Sequence, residues 1–174
     1  MPSQYFNRQK SKGRWFEWLL RGVLPDLGFE VIDTDGWSYS RKKGVDIVVN
    51  LHQDGRVYRQ NIEAKYDEFS QESNNVYVEL QAIEESSSAI WIYGLPKKRS
   101  ETQYIDCYAM FLSDLWEYSR TVRNSTLGGE FKRKGILIPR GVFITQPWVR
   151  KLRFIEITPE NSYQTWRSTQ RVAA

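Results

Sequence analysis

Cysteine and histidine are nearly absent from this 174-residue sequence, in which Cys107 and His52 are the only examples. With one cysteine, the chain can form neither an intramolecular disulfide nor a cysteine-rich zinc site. With one histidine, it cannot bind zinc through paired histidines, and a Ser-His-Asp triad could use only His52. A metal site would have to use carboxylate and carbonyl oxygens, which favours Mg²⁺, Mn²⁺ or Ca²⁺.

Long apolar runs are also missing. No stretch of about 18 apolar residues occurs, and the N-terminal MPSQYFNRQK lacks the apolar segment of a secretion signal. We therefore expect a soluble, cytoplasmic protein with no membrane partner. Hydrophobic residues make up 40% and charged residues 26%, which is ordinary for one globular domain of this length. The net charge of +4 favours an anionic partner without naming it.

The most informative stretch, residues 44–65, has the pattern of a β-hairpin. Two runs rich in β-branched and aromatic residues, DIVVNLH and RVYRQNIEAK, flank Asp54-Gly55, which is typical of a two-residue type I′ turn. Such a turn predicts that Asp46 lies directly opposite Glu63, with Lys65 on the same face. A longer loop would shift this register. Opposed like charges destabilise a strand pair, so a divalent cation is the simplest compensation.

Two carboxylates and one ammonium on a single patch suit phosphodiester hydrolysis. Carboxylate oxygens bind Mg²⁺, which polarises a phosphoryl oxygen and lowers the pKa of the attacking water. The lysine can orient that water or stabilise the charge that develops at phosphorus. The alternative is that Glu63 and Lys65 form an ordinary exposed pair on a strand, and that Glu79 is likewise an exposed strand residue.

A helix is predicted over residues 3–24, because apolar residues recur at helical spacing until Pro25. Glu17 shares a helical face with Leu20, where an unpaired carboxylate is costly to bury. Glu17 therefore either pairs with Arg21 one turn later or faces a functional site.

Short strands and one further helix are predicted along the rest of the chain. The strands fall at 29–33, 76–80, 89–93, 104–111, 135–139, 141–145 and 152–158, and the helix falls at 113–123 with Ser113 as its N-cap. Trp15 and Trp18 are expected in the core, and Trp166 is expected to tie down the polar tail. Three basic clusters lie in predicted loops and are candidate contacts to a phosphate backbone, although such loops are often simply solvated: Arg41, Lys42 and Lys43; Lys97, Lys98 and Arg99; Lys132, Arg133 and Lys134.

The order of these motifs resembles the PD-(D/E)xK nuclease superfamily. The spacing Asp46-x16-Glu63-x-Lys65 on a hairpin follows a helix that carries Glu17, with Val45-Asp46 in place of Pro-Asp. The segments that follow are Glu63-Ala-Lys-Tyr-Asp67, then Asn74-Asn-Val-Tyr-Val-Glu79, then Ser86-Ser-Ser before an aromatic strand. This order is similar to that of phage-encoded members, in which glycine more often stands at the position of Asn74. The resemblance covers about residues 10–118.

The resemblance implies an α/β (α+β) fold with a mixed central sheet flanked by helices, as in restriction endonucleases. It implies a single domain, with a core at about 10–123 and a C-terminal extension at 124–174. Asp46, Glu63 and the Ala64 carbonyl would bind Mg²⁺, for which Mn²⁺ substitutes.

Further roles follow from the same resemblance. Lys65 would be the catalytic lysine, and Glu17 would complete the site from the first helix. Glu79 would bind a second metal or support the first, and Asp67 is a weaker candidate.

The activity that the resemblance implies is metal-dependent endonucleolytic hydrolysis of DNA in phage DNA processing or recombination. Processive phage exonucleases of this superfamily carry a Q-x-x-x-Y signature, and no Gln here is followed by Tyr four residues later. The small chain favours structure-directed cleavage of branched DNA, or cleavage of low sequence specificity, by a homodimer with two active sites. The alternatives are a catalytically inactive DNA-binding module on a nuclease fold and a structural phage protein with solubilising basic patches.

Overall fold

The computed structural model describes residues 4–32, 44–122, 125–128 and 133–172. The helices are α1 (Gln4–Val23), α2 (Ser70–Ser73), α3 (Leu80–Glu85), α4 (Leu112–Thr121), α5 (Arg140–Ile144) and α6 (Tyr163–Val172), with a 3₁₀ turn at Pro25–Leu27. The strands are β1 (Phe29–Ile32), β2 (Ile47–Gln53), β3 (Arg56–Tyr66), β4 (Asn75–Glu79), β5 (Ile90–Arg99), β6 (Thr102–Phe111), β7 (Thr126–Gly128), β8 (Arg133–Pro139) and β9 (Arg150–Ile157). No helix in these ranges is long and apolar enough to cross a membrane.

The strands form two sheets. The main sheet has six strands in the order β1-β2-β3-β5-β6-β9, and a second sheet has the order β4-β8-β7. Neighbours in the main sheet are antiparallel except for the parallel pair of β3 and β5. The connection from β3 to β5 passes through α2, β4 and α3, so the second sheet is built into this crossover. The expected mixed central sheet flanked by helices is confirmed.

The β2–β3 hairpin has the predicted register. Asp54 and Gly55 both have positive φ angles, 52° and 72°, as a type I′ turn requires. The paired residues run from Gln53 opposite Arg56 to Ile47 opposite Ile62. The pairing ends there, so Asp46 lies one residue beyond the paired part of β2, and its N–H donates to the Ile62 carbonyl (3.0 Å). The predicted pairing of Asp46 with Glu63 is not part of the observed register.

Two hydrophobic cores cover the two faces of the main sheet. On one face α1 and α6 pack against the sheet, with Phe16, Ile62 and Ala64 in the core. On the other face the second sheet and the remaining helices enclose Trp91 and Tyr93. Side chains alternate along a strand, and Ile62 and Ala64 face α1. Glu63 and Lys65 therefore point towards the second sheet.

The C-terminal residues contribute to the same structure. Strand β8 lies in the second sheet, β9 forms an edge of the main sheet, and α6 packs against α1. The indole Nε1 of Trp15 donates a hydrogen bond to the Asn161 carbonyl (2.8 Å). Trp15 and Trp166 are buried as expected. Trp18 is 44% exposed, so the expectation that it lies in the core is wrong.

Two predicted helix and strand assignments are wrong. Helix α4 begins at Leu112 with Phe111 as its N-cap, so Ser113 lies inside the helix. Phe111 ends β6 in an extended conformation, and the chain enters the helix without a loop. Residues 141–145 belong to α5 rather than to a strand, and Phe143 is buried in the second core. A short apolar run does not distinguish a buried strand from a buried helix.

The basic stretch at 96–100 is not the predicted loop, because β5 continues to Arg99 and the chain turns at Ser100, with a φ of 53°. Proline usually interrupts a sheet because it has no N–H to donate. Here the pairing of β5 with β3 ends at Gly94, so Pro96 lies beyond the last residue of that partner strand. From this point β5 pairs only with β6.

Candidate functional site

Asp46 lies immediately before β2 and forms hydrogen bonds with β3 and with α1. Its Oδ2 atom accepts a hydrogen bond from the Ala64 N–H (2.8 Å), and its own N–H donates to the Ile62 carbonyl (3.0 Å). Its carbonyl accepts from Nη2 of Arg21 on α1 (2.9 Å). The hairpin therefore holds the carboxylate of Asp46, and the first helix holds its backbone.

Glu63 directly follows Ile62, the last residue of β3 that pairs with β2, and is only 5% exposed. Its Oε1 atom contacts the Lys65 ammonium, and its Oε2 atom accepts a hydrogen bond from the Ser86 hydroxyl. The pair is therefore not the exposed strand pair that the sequence left as an alternative. Burial of a carboxylate is tolerated only where charge or hydrogen bonds compensate it, and Glu63 has both.

Trp91 supports this pair from the neighbouring strand. It is the register partner of Glu63 in the parallel β3–β5 pairing and is fully buried. The Lys65 ammonium lies 5.0 Å from the centre of its ring, within the range of a cation–π interaction. Its Nε1 donates to the Ser86 hydroxyl (3.3 Å). Trp91 thus contacts the lysine directly and the carboxylate through the serine.

The serine-rich turn before β5 also positions the chain that leads to Asp46. The buried hydroxyl of Ser88 donates to the Gly44 carbonyl (3.1 Å). Gly44 has a φ of 65°, and a Cβ atom there would lie 3.2 Å from Oε2 of Glu63. Only glycine adopts this conformation so close to the carboxylate without strain. Sequence reasoning did not assign Trp91 or these serines to the site, although the Ser86-Ser-Ser motif before an aromatic strand was the available signal.

Glu17, on α1, is close enough to the patch for the charges of Asp46 and Lys65 to act on it. Burial, and then the charge of Asp46, raise the pKa of Glu17 from its ordinary value of 4.5 to about 7, against the opposing effects of Arg21, Arg14 and Lys65. The pKa of Asp46 is also raised, chiefly by burial. Glu63 adds to that rise, while the Ala64 N–H opposes it. The negative charge of the patch is therefore only partly balanced by its cations.

The outward face of α1 beside Glu17 is basic and aromatic. Trp18 is exposed, and Arg14 and Arg21 lie four residues before it and three after it, on the same side of the helix. Both arginines lower the pKa of Glu17 against the effect of burial, and Arg21 also donates to the Asp46 carbonyl (2.9 Å). This arrangement offers an aromatic ring and two cations next to the buried acids.

Glu79 and Asp67 have other partners. Glu79, on β4 of the second sheet, accepts a hydrogen bond from Nη1 of Arg133 (2.5 Å). The Asp67 carboxylate accepts from the backbone N–H groups of Tyr77 (2.9 Å) and Ser70 (3.1 Å), which ties the end of β3 to α2 and β4. These bonds assign Asp67 a structural role.

The predicted basic clusters lie at separate places. Lys97, Lys98 and Arg99 lie on β5 beyond the end of β3, and Arg133 and Lys134 begin β8. Arg41, Lys42, Lys43 and Lys132 lie outside the described residues.

Among the residues that the structure describes, no group of three or more His, Cys, Asp or Glu side chains is arranged to hold a metal ion. The oxygen donors that the sequence predicts at the hairpin are two carboxylates, of Asp46 and Glu63, and the carbonyl of Ala64. Mg²⁺ fits such a set, because it commonly binds one or two carboxylates and keeps several waters. A cation there would also stabilise the ionised form of Asp46, whose pKa is raised chiefly by burial and further by the charge of Glu63.

Comparisons with protein-family models, with curated proteins and with solved structures find no match to this chain. The resemblance to PD-(D/E)xK nucleases therefore depends on the order of the motifs and on the chemistry of the residues at the hairpin. The fold itself is a mixed six-stranded sheet with helices on it and a second sheet inserted in its parallel crossover.

Proposed function

We propose that this protein is a metal-dependent endodeoxyribonuclease of the PD-(D/E)xK type, which hydrolyses DNA phosphodiester bonds in phage DNA processing or recombination. The observation that supports this proposal is the end of the hairpin, where the Asp46 carboxylate accepts from the Ala64 N–H next to a buried Glu63 that contacts Lys65. On this proposal the main sheet is a restriction-endonuclease-like core. The cofactor is Mg²⁺, and Mn²⁺ replaces it.

Asp46, Glu63 and the Ala64 carbonyl would hold the cation. When bound, it supplies a Lewis acid for the phosphoryl oxygen and lowers the pKa of the attacking water. Asp46 is already fixed by hydrogen bonds to two elements, so little ordering remains to be done on binding. Glu63 would have to exchange its contact with Lys65 for the cation, which frees the ammonium to face a phosphate.

Lys65 and Glu17 supply the remaining chemistry. The Lys65 ammonium lies against the Trp91 ring, from where it can stabilise negative charge that develops at phosphorus. Glu17 has a pKa of about 7, so it can accept or release a proton near neutral pH. An acid whose pKa lies near the working pH is suited to proton transfer.

DNA would approach along the outward face of α1. The exposed Arg14 can neutralise a phosphate, and the exposed Trp18 ring can stack on an unpaired base. A ring that stacks on unpaired bases favours branched or partly single-stranded substrates over intact duplex. Cleavage of both strands of a duplex would require a homodimer with two such sites.

The alternative function is a DNA-binding module that does not cleave. Two observations favour it: both carboxylate oxygens of Glu63 already have partners, and the described residues contain no cluster of three metal-binding side chains. In that case the Glu63–Lys65 pair would only stabilise the sheet, and DNA binding would depend on salt but not on a divalent cation.

Nicking of supercoiled plasmid distinguishes these functions. Purified protein is incubated in Mg²⁺, Mn²⁺, Ca²⁺ or EDTA, together with the variants Asp46→Asn and Lys65→Ala. Glu117→Gln is the matched control, because Glu117 is an exposed carboxylate on α4. We expect nicked and linear products in Mg²⁺ and Mn²⁺, and a loss of about 10²-fold or more in both site variants but not in the control.

Cleavage that persists in EDTA, or that both site variants retain, would contradict the proposed chemistry. Absence of cleavage together with salt-dependent DNA binding would instead support the non-cleaving module. A panel of branched and linear substrates in Mn²⁺ then identifies the preferred DNA geometry.

A further inference from the structure

A cavity of about 540 Å³ lies at the contact of α1 and α6 with the main sheet. Trp15, Tyr66 and Tyr163 line it, and the Trp15 ring contacts the other two edge-on, with centroid distances of 5.6 and 5.9 Å. Its volume is within the range of small-molecule sites. Since Tyr66 lies an odd number of residues from Glu63 and Lys65 along β3, the cavity is on the opposite face of the sheet from these two side chains.

The lining of this cavity is rich in positive charge. Four cations line it, against two carboxylates: Arg8, Lys12, Lys97 and Arg167 against Glu68 and Glu72. Lys12 is 8% exposed, contacts Glu68 and lies 5.7 Å from the centre of the Tyr163 ring. Burial, with a contribution from Arg8, lowers the pKa of Lys12 to about 8. This excess of positive charge favours an anionic ligand.

The hydroxyl of Tyr163 lacks an internal partner. It is a buried side-chain oxygen without a hydrogen-bond partner, and it is the only such atom in the part of the chain that the structure describes. A buried polar group left unpaired costs about 1–3 kcal/mol, so such groups in native proteins usually have a partner or a function. The oxygen is enclosed in the unliganded protein, so a ligand in the cavity that Tyr163 lines can supply this partner after the surrounding side chains shift.

We propose that this cavity binds a nucleoside 5′-phosphate, either free or as the terminal nucleotide of a DNA strand. The aromatic rings contact the base, the cations at the cavity bind the phosphate, and the Tyr163 hydroxyl forms a hydrogen bond with the nucleotide. Rings and cations side by side match the two chemical halves of a nucleotide. The site goes beyond the proposed nuclease function, since it uses none of Asp46, Glu63 and Lys65.

Calorimetric titration of the full chain with dAMP in EDTA tests the proposal. Tyr163→Phe removes only the unpaired oxygen, so we expect unchanged or higher thermal stability and about 5-fold weaker binding. Arg167→Ala removes an exposed cation of the cavity, and we expect at least about 10-fold weaker binding. The matched controls are Arg120→Ala, an exposed arginine on α4, and Lys65→Ala, and both should bind as the wild type does.

The source of the nucleotide is distinguished by two short oligonucleotides that differ only in a 5′-phosphate or a 5′-hydroxyl. Tighter binding of the phosphorylated strand that depends on Tyr163 and Arg167 assigns the site to strand ends, and binding of dAMP alone assigns it to the free nucleotide. The proposal is overturned if neither dAMP nor the phosphorylated strand binds. It is also overturned if Tyr163→Phe and Arg167→Ala both bind as tightly as the wild type. Lys65→Ala is expected to lose nuclease activity but to keep its binding of dAMP. Failure of the nuclease proposal and failure of the nucleotide site can therefore be told apart.

Discussion

Replacing Glu17 with glutamine removes a buried carboxylate from the patch while keeping its shape. The folded-state pKa of Glu17 is about 7 against an ordinary 4.5. The stabilising effect of the protonated acid is therefore fully present below pH 4.5 and is lost as the pH rises through 7. Since one pKa unit corresponds to about 1.4 kcal/mol, ionisation of Glu17 in the folded protein costs up to about 3 kcal/mol.

Urea denaturation of the wild type and Glu17→Gln in EDTA, at pH 5 and pH 8, measures this cost. Glutamine cannot ionise, so we expect the variant to be more stable by up to about 3 kcal/mol at pH 8 and by less than about 1 kcal/mol at pH 5. The exposed Glu117→Gln should show no such dependence on pH. A difference that does not change with pH, or a wild type that is the more stable protein at pH 8, would refute this account of Glu17.

Three other changes test the supports of the site and its surface. Gly44→Ala forces a side chain into a left-handed conformation beside Glu63, and we expect the free energy of unfolding to fall by about 1–2 kcal/mol in urea titrations; an unchanged midpoint would show that no strain arises. Asp67→Ala removes the carboxylate acceptor of the Tyr77 N–H and one of the two acceptors of the Ser70 N–H, and the same titration should show a loss of about 1–3 kcal/mol, whereas a loss below about 0.5 kcal/mol would contradict the structural role. Trp18→Ala should leave stability within about 0.5 kcal/mol but weaken binding of branched DNA by about 5-fold or more in a fluorescence anisotropy assay, with the exposed Trp116→Ala as control; equal binding by both variants would exclude α1 as the contact surface.

The part of the site that the sequence predicts correctly depends on local chemistry. Asp54-Gly55 specifies a two-residue turn, and the turn fixes the register of the whole hairpin. That register brings the chain just before β2 next to Glu63 and Lys65, and a hydrogen bond from the Ala64 N–H then holds the Asp46 carboxylate there. The position of Glu17 is predicted only in part. Helical spacing indicates a carboxylate on an apolar face of α1, but it does not indicate which strand that face contacts.

The supports of the site could not be predicted, because they depend on contacts between distant parts of the chain. The pairing of Trp91 with Glu63 exists only because β5 lies parallel to β3 after a long crossover. The sequence around Trp91 does not indicate that Glu63 is its partner on the neighbouring strand. The position of Pro96 raises the same difficulty, since proline is acceptable in β5 only where β3 has already ended.

The other wrong predictions come from sequence patterns that are compatible with two different structures. The apolar run at 141–145 suits a buried strand as well as the short helix α5 that it forms. Trp18 was expected in the core on hydrophobicity alone, but the helix already buries Trp15 and Leu19 on the side that faces the sheet. Only the direction from which the sheet approaches α1 decides which tryptophan is covered.

The crossover between β3 and β5 also bears on how fast the protein folds. β5 can pair with β3 only after α2, β4 and α3 have been accommodated, and β4 itself pairs with β8, which comes much later in the chain. Such non-local pairings fold slowly, because loop-closure entropy is lost before the contacts compensate for it. The hairpin, with its local turn, can form early. Until β5 arrives, one edge of β3 is unpaired, and it is there that we expect association between partly folded chains to begin.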